Sequence, residues 1–85
     1  MKPTYVTKHS VLRYIERHRP GWPYARARSE LLREIETAQL HQPAKGGDDP
    51  IYITQSGRLL VVSLDGAVRT VLPFGSKPTN RRPIR

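Results

Sequence analysis

The apolar residues of this chain repeat with two different periods, and the change falls at one place. Up to residue 40 they recur at helical spacing. From residue 51 they form short blocks that largely alternate. Between the two lies Gln42 to Pro50, where two prolines and the Gly46-Gly47 pair mark a loop by composition. Helices first and strands afterwards, with no return, point to an α+β domain.

Thr7 to His18 reads as helix one, at about residues 8–18. Val11, Tyr14, Ile15 and His18 share a face with Leu12 beside it, and Thr7 can cap the first turn. Arg17, His18 and Arg19 sit where cations suit a helix C-terminus, and Pro20-Gly21 ends it. Pro23 suits the first turn of helix two, about 23–40, whose apolar face is Tyr24, Ala27, Leu31, Leu32, Ile35 and Ala38. Trp22 between them reads as a seal for the helix junction, or as a platform for a base if exposed.

Three strand-like runs follow: Ile51 to Thr54, Leu59 to Leu64 and Val68 to Leu72. Ser56-Gly57 and Asp65-Gly66 separate them, and a two-residue X-Gly link signals a hairpin. The expected fold is two N-terminal helices packed on a three-stranded antiparallel β-meander. Residues 1–74 form the single domain, and 75–85 a Pro-rich basic arm, extended or disordered. Two-residue turns pair Ile53 with Leu60, Ile51 with Val62, Leu60 with Val71 and Val62 with Arg69. Ile51, Ile53, Leu60, Val62, Leu64 and Val71 then face the helices. Tyr52, Thr54, Leu59, Val61, Val68, Thr70 and Leu72 form an open face. Arg69 is awkward in that register, falling on the covered face. Either it reaches a carboxylate or phosphate near the edge, or a bulge shifts the strand.

Charge narrows the partner. Fifteen Lys and Arg stand against seven Asp and Glu, a formal net charge of +8, and eleven of the fifteen are Arg. That balance favours a polyanion, nucleic acid before membrane, and Arg is the side chain suited to bidentate phosphate contacts. No apolar run is long enough to span a bilayer, and residues 1–20 lack the apolar core of a signal peptide. The absence of cysteine removes thiolate metal sites and cysteine nucleophiles, and suits a cytoplasmic location. His9 and His18 are not at ligand spacing, Asp48-Asp49 lacks partner carboxylates, and Gly46-Gly47 lacks the flanks of a phosphate loop. No metal and no cofactor is expected.

Metal-free RNA cleavage is the chemistry such a chain can support. RNA supplies its own nucleophile, the 2′-hydroxyl, and the protein needs a base, an acid and cations for the transition-state charge. His9 opens helix one, where the helix dipole favours neutral imidazole, a base near pH 7. Arg13 is one turn on along the same face, so the two can grip one phosphate. Arg69 and Thr70 are the strand-side candidates. Arg17, Arg26, Arg28, Arg33, Arg58, Lys77, Arg81, Arg82 and Arg85 are the expected nucleic-acid contacts, with Tyr52 on the open face for stacking. His18 and His41 read as partners of helix C-termini.

The segment from Thr7 to Arg17, with Gly57-Arg58-Leu59-Leu60-Val61-Val62 and Gly66 to Pro73, resembles small bacterial and phage proteins. These carry a His-x-x-x-Arg-Tyr/Phe-x-Glu-Arg helix and a closing Val-x-Thr-Val-Leu strand. Their layout is similar to the RelE, BrnT and barnase/EndoU/colicin-type ribonuclease toxins. The resemblance implies metal-independent RNA cleavage, with His9 and Arg13 on the helix side and Arg69 or Thr70 on the sheet side. Two other readings stand beside it. One is a non-enzymatic phage-type inhibitor that docks on a host nucleic-acid enzyme, such as RNA polymerase, through the open sheet face and the arm. The other is a plain nucleic-acid-binding module. A host or antitoxin protein is the expected occupant of the open face if the partner is a protein.

Overall fold

A computed structural model describes residues 3–73. Two helices and five strands follow in the order β1 (Tyr5–Val6), α1 (Lys8–His18), α2 (Tyr24–Ile35), β2 (Gln39–Gln42), β3 (Ile51–Ile53), β4 (Leu59–Val62) and β5 (Ala67–Val71). The expected three-stranded meander is therefore a correction: the sheet has five strands in the order β1-β5-β4-β3-β2. It is also mixed, because β1 runs parallel to β5 while the other pairs are antiparallel. No helix among the described residues is long and apolar enough to cross a membrane.

Helix α1 begins where Thr7 caps it. The Thr7 hydroxyl accepts from the Ser10 N–H at 3.1 Å, and the Ser10 hydroxyl accepts from the Thr7 N–H at 3.0 Å. This is a reciprocal capping box with serine in place of the usual Glu or Gln. The Thr7 hydroxyl also donates to the Val68 carbonyl at 2.8 Å, so one side chain both starts the helix and fastens it to β5. Helix α2 starts after Pro23 and ends at Ile35, five residues before its expected end. Gln39–Gln42 leaves the helical pattern and pairs with β3 instead.

Val11 and Tyr14 of α1, with Ala27, Leu31 and Ile35 of α2, pack on Tyr52, Leu60, Val62, Val68 and Val71. Both helices thus cover one face of the sheet. Ile53, Leu59, Val61, Thr70 and Leu72 alternate with these and are half-buried on the other side. Strand β4 presents the expected faces and β3 the opposite ones. The reason lies in the turn. The Thr54 N–H donates to the Arg58 carbonyl and the Gly57 N–H to the Thr54 carbonyl, both at 2.9 Å, so the link is longer than Ser56-Gly57 alone. Ile53 consequently pairs Leu59 rather than Leu60. A one-residue slip exchanges the two faces of a strand. Tyr52 turns inward, and Leu64, expected in the core, is 68% exposed in the next turn.

That next turn slips in the same way. The Ser63 N–H donates to the Ala67 carbonyl at 2.8 Å around Leu64-Asp65-Gly66, with Gly66 at φ +95. An L-residue pays a steric penalty at such a φ, and glycine does not. Here the slip is undone within the strand. Val62 pairs Val68, Val61 pairs Thr70 and Leu60 pairs Val71, so Arg69 is the extra residue of a β-bulge. Beyond β1, α1 meets the carbonyls at the end of β5 and just past it: Arg17 Nη1 donates to Val71 and His18 Nε2 to Leu72, each at 2.9 Å. The helix thereby covers an edge that would otherwise be open to pairing.

Candidate functional site

The bulge and the cap together build a cleft. The bulge pushes Arg69 out of the sheet with its side chain 62% exposed, and leaves its neighbour Thr70 in register beside Val61. The cap fixes the first turn of α1 against β5, which carries His9 to the same place. His9, Arg69, Thr70 and Val61 line an open cleft of about 410 Å³ together with Gly47, Asp48 and Asp49. Arg69 Nη1 donates to Asp49 Oδ2 at 2.8 Å. Both sequence-level expectations for Arg69, the bulge and the carboxylate, are met at once. The cleft offers an imidazole, a guanidinium, a hydroxyl and two carboxylates around one space. Among the described residues, no group of three or more His, Cys, Asp and Glu side chains is arranged to hold a metal ion.

Arg13 does not line this cleft: its Nη1 donates to Glu16 at 2.6 Å on the outer surface of α1. Arg17 and His18 are engaged with the Val71 and Leu72 carbonyls, and Arg58 is held by Glu34 at 2.8 Å with both side chains only 13% exposed. Arg26, exposed on α2, stacks over Trp22 at 4.0 Å, and Arg19 approaches the same ring at 4.9 Å. Trp22 itself is half-buried against the core. Arg28 and Arg33 are exposed on α2. Tyr52 is a correction. The register slip places it in the core at 5% exposure, on the helix-covered face, where no base can stack on it. His41 lies exposed on β2 rather than at a helix end. Lys77, Arg81, Arg82 and Arg85 fall outside the described residues.

A second constellation was not foreseen. The Tyr14 hydroxyl, on a side chain with no exposure, lies between the carboxylates of Glu30 and Glu34. Arg19 Nε donates to Glu30 at 2.9 Å, Ser56 Oγ donates to Glu34 at 2.7 Å, and the Arg58 guanidinium sits 5.4 Å from the Tyr14 ring. Burial, then the two carboxylates, raise the Tyr14 pKa far above 10, so its hydroxyl stays protonated. The bond from Arg19 holds Glu30 below the ordinary carboxylate range. Burial lowers His18, which matches a neutral ring donating from Nε2 to the Leu72 carbonyl. These groups border a cleft of about 470 Å³ that also touches Arg33 and Thr37. The Arg19–Glu30 and Arg58–Glu34 pairs within it act as a clasp joining α1, α2 and the β3–β4 turn. The visible signal is Glu30 and Glu34 at i,i+4 spacing on one helix face.

No family model matches the chain, and neither curated proteins nor solved structures give a match.

Proposed function

We propose that the protein binds RNA and cleaves it without a metal ion at the cleft between the start of α1 and the bulge of β5. The observation that supports this reading is the convergence of His9, Arg69 and Thr70, from opposite ends of the described chain, on one space. In the proposed reaction His9 removes the proton of the 2′-hydroxyl. The 2′-oxygen bonds to the adjacent phosphorus, and the bond to the 5′-oxygen breaks, that oxygen taking a proton from solvent. The products are a 2′,3′-cyclic phosphate and a free 5′-hydroxyl. Arg69 and the Thr70 hydroxyl hold the non-bridging oxygens, where negative charge accumulates in the transition state. Arg13, one turn beyond His9, contacts the flanking phosphate rather than the reacting one. The exposed arginines of α2 and the basic residues beyond residue 73 supply sequence-independent affinity.

The test is direct. Purified protein incubated with total RNA in excess EDTA is expected to yield fragments ending in cyclic phosphate, and His9→Ala to reduce the rate at least about a hundredfold, the scale of a lost general base. Intact RNA under these conditions refutes the catalytic half. If RNA is bound but not cut, the cleft is a binding site alone. Neither binding nor cleavage, with one host protein retained in stoichiometric amount, would favour the inhibitor reading.

A further inference from the structure

The Arg69 guanidinium is the strongest exposed anion receptor of the cleft, and it is already occupied. Asp49 reaches it at 2.8 Å from the loop between β2 and β3. That loop is shaped for the task. Lys45 and Asp48 exchange backbone hydrogen bonds of 3.3 and 2.9 Å around Gly46 and Gly47, which take φ +55 and +94. The tight turn delivers Asp48 and Asp49 to the same cleft as His9 and Thr70. Asp49 is 22% exposed and Arg69 62%, so the pair is reachable by a solute.

The Asp49 oxygen on Arg69 Nη1 occupies a donor that a phosphodiester oxygen would take, since both are anionic acceptors of a guanidinium N–H. We propose that Asp49 is an internal competitor for the phosphodiester group of RNA at Arg69, and so a specificity-determining residue of this cleft. The inference rests on the RNA reading above. An exposed ion pair is weak, so a phosphodiester anchored by neighbouring cations displaces it, whereas an isolated phosphate does not. The displaced carboxylate stays in the cleft and opposes weakly anchored ligands. Short anions are thereby excluded more strongly than a strand held at several phosphates.

The experiment uses a labelled single-stranded RNA with 2′-O-methyl sugars, which cannot be cut, titrated in low salt with wild type, Asp49→Asn, Arg69→Ala and the double variant. Asp49→Asn is expected to bind about fivefold tighter, the scale of a lost exposed ion pair. Arg69→Ala is expected to bind more weakly, and Asp49→Asn on the Arg69→Ala background to give no gain. Inorganic phosphate is expected to compete with the RNA measurably better in Asp49→Asn than in wild type. A gain that persists without Arg69 overturns the proposal, because removal of any negative charge would then explain it. Weakening by Arg69→Ala with no gain in Asp49→Asn also overturns it and leaves RNA binding at the cleft intact. Equal RNA affinity of wild type and Arg69→Ala overturns the proposal and removes RNA binding at the cleft as well. In the wild-type protein, independently of any variant, the Arg69 side-chain N–H resonance is expected to shift on addition of this RNA; an unmoved resonance refutes the displacement.

Discussion

Tyr14, Glu30, Glu34, Arg19 and Arg58 hold each other in place, and the loss of one strands the rest. Arg58→Ala leaves the Glu34 carboxylate, only 13% exposed, without its cation. A destabilisation of about 2 kcal/mol is expected, below the full cost for a buried pair because some solvent remains. Arg13→Ala removes a still shorter pair at the surface, and its effect is expected to stay within about 0.5 kcal/mol. Urea denaturation of the two variants checks the contrast, which fails if the two midpoints move alike. Tyr14→Phe keeps the ring in the core but removes the proton shared between two carboxylates. A loss of about 1–3 kcal/mol is expected in the same measurement.

Among the elements, α1 depends on Thr7 both for its start and for its attachment to β5. Thr7→Ala removes the cap and the hydrogen bond to the Val68 carbonyl, and about 1–2 kcal/mol is expected to be lost, with Thr7→Ser recovering most of it. Thermal denaturation of both variants decides, and equal losses would place the effect in the methyl group. Helix α1 and the faces of β4 were legible in the sequence, because a cap, a Pro-Gly stop and a run of β-formers are local signals. Strand β2 was not. Gln39-Leu40-His41-Gln42 has neither alternation nor β-branched residues, and it becomes a strand only because β3 lies beside it. Strand β1 is two residues long and owes its existence to pairing with Ala67 and Val68. The inward turn of Tyr52 was hidden for a different reason. It depends on one residue in the length of a turn, and Ser56-Gly57 reads the same in either case. At the candidate site, His9, Arg69 and Thr70 were legible as residue types, but Asp49 was not, since only the folded loop brings it to Arg69.

At the scale of the whole molecule, stability is bounded on both sides by groups whose proton affinity changes on folding. The His18 pKa falls below 6.5 in the fold, so the unfolded chain takes up its proton first and stability drops as pH falls below 6.5. Glu30, held below 4.5, extends the decline further into acid. Tyr14 acts in the opposite direction. Its raised pKa leaves stability complete below 10 and erodes it as pH rises above that value. Melting temperatures measured across this range are expected to form a plateau from near neutrality to about pH 10, and Tyr14→Phe to flatten the alkaline limb. An alkaline limb unchanged in Tyr14→Phe would assign it to another group. The strand order carries a consequence for synthesis. Strand β5 is made last of the seven elements, yet it lies between β1 and β4 and is the strand against which α1 docks. A ribosome that has released both helices and the first four strands has therefore produced no finished core. Arg69 and Thr70 belong to that last strand, so the cleft is incomplete until it has been made. A nascent chain halted before it carries His9 without Arg69 or Thr70.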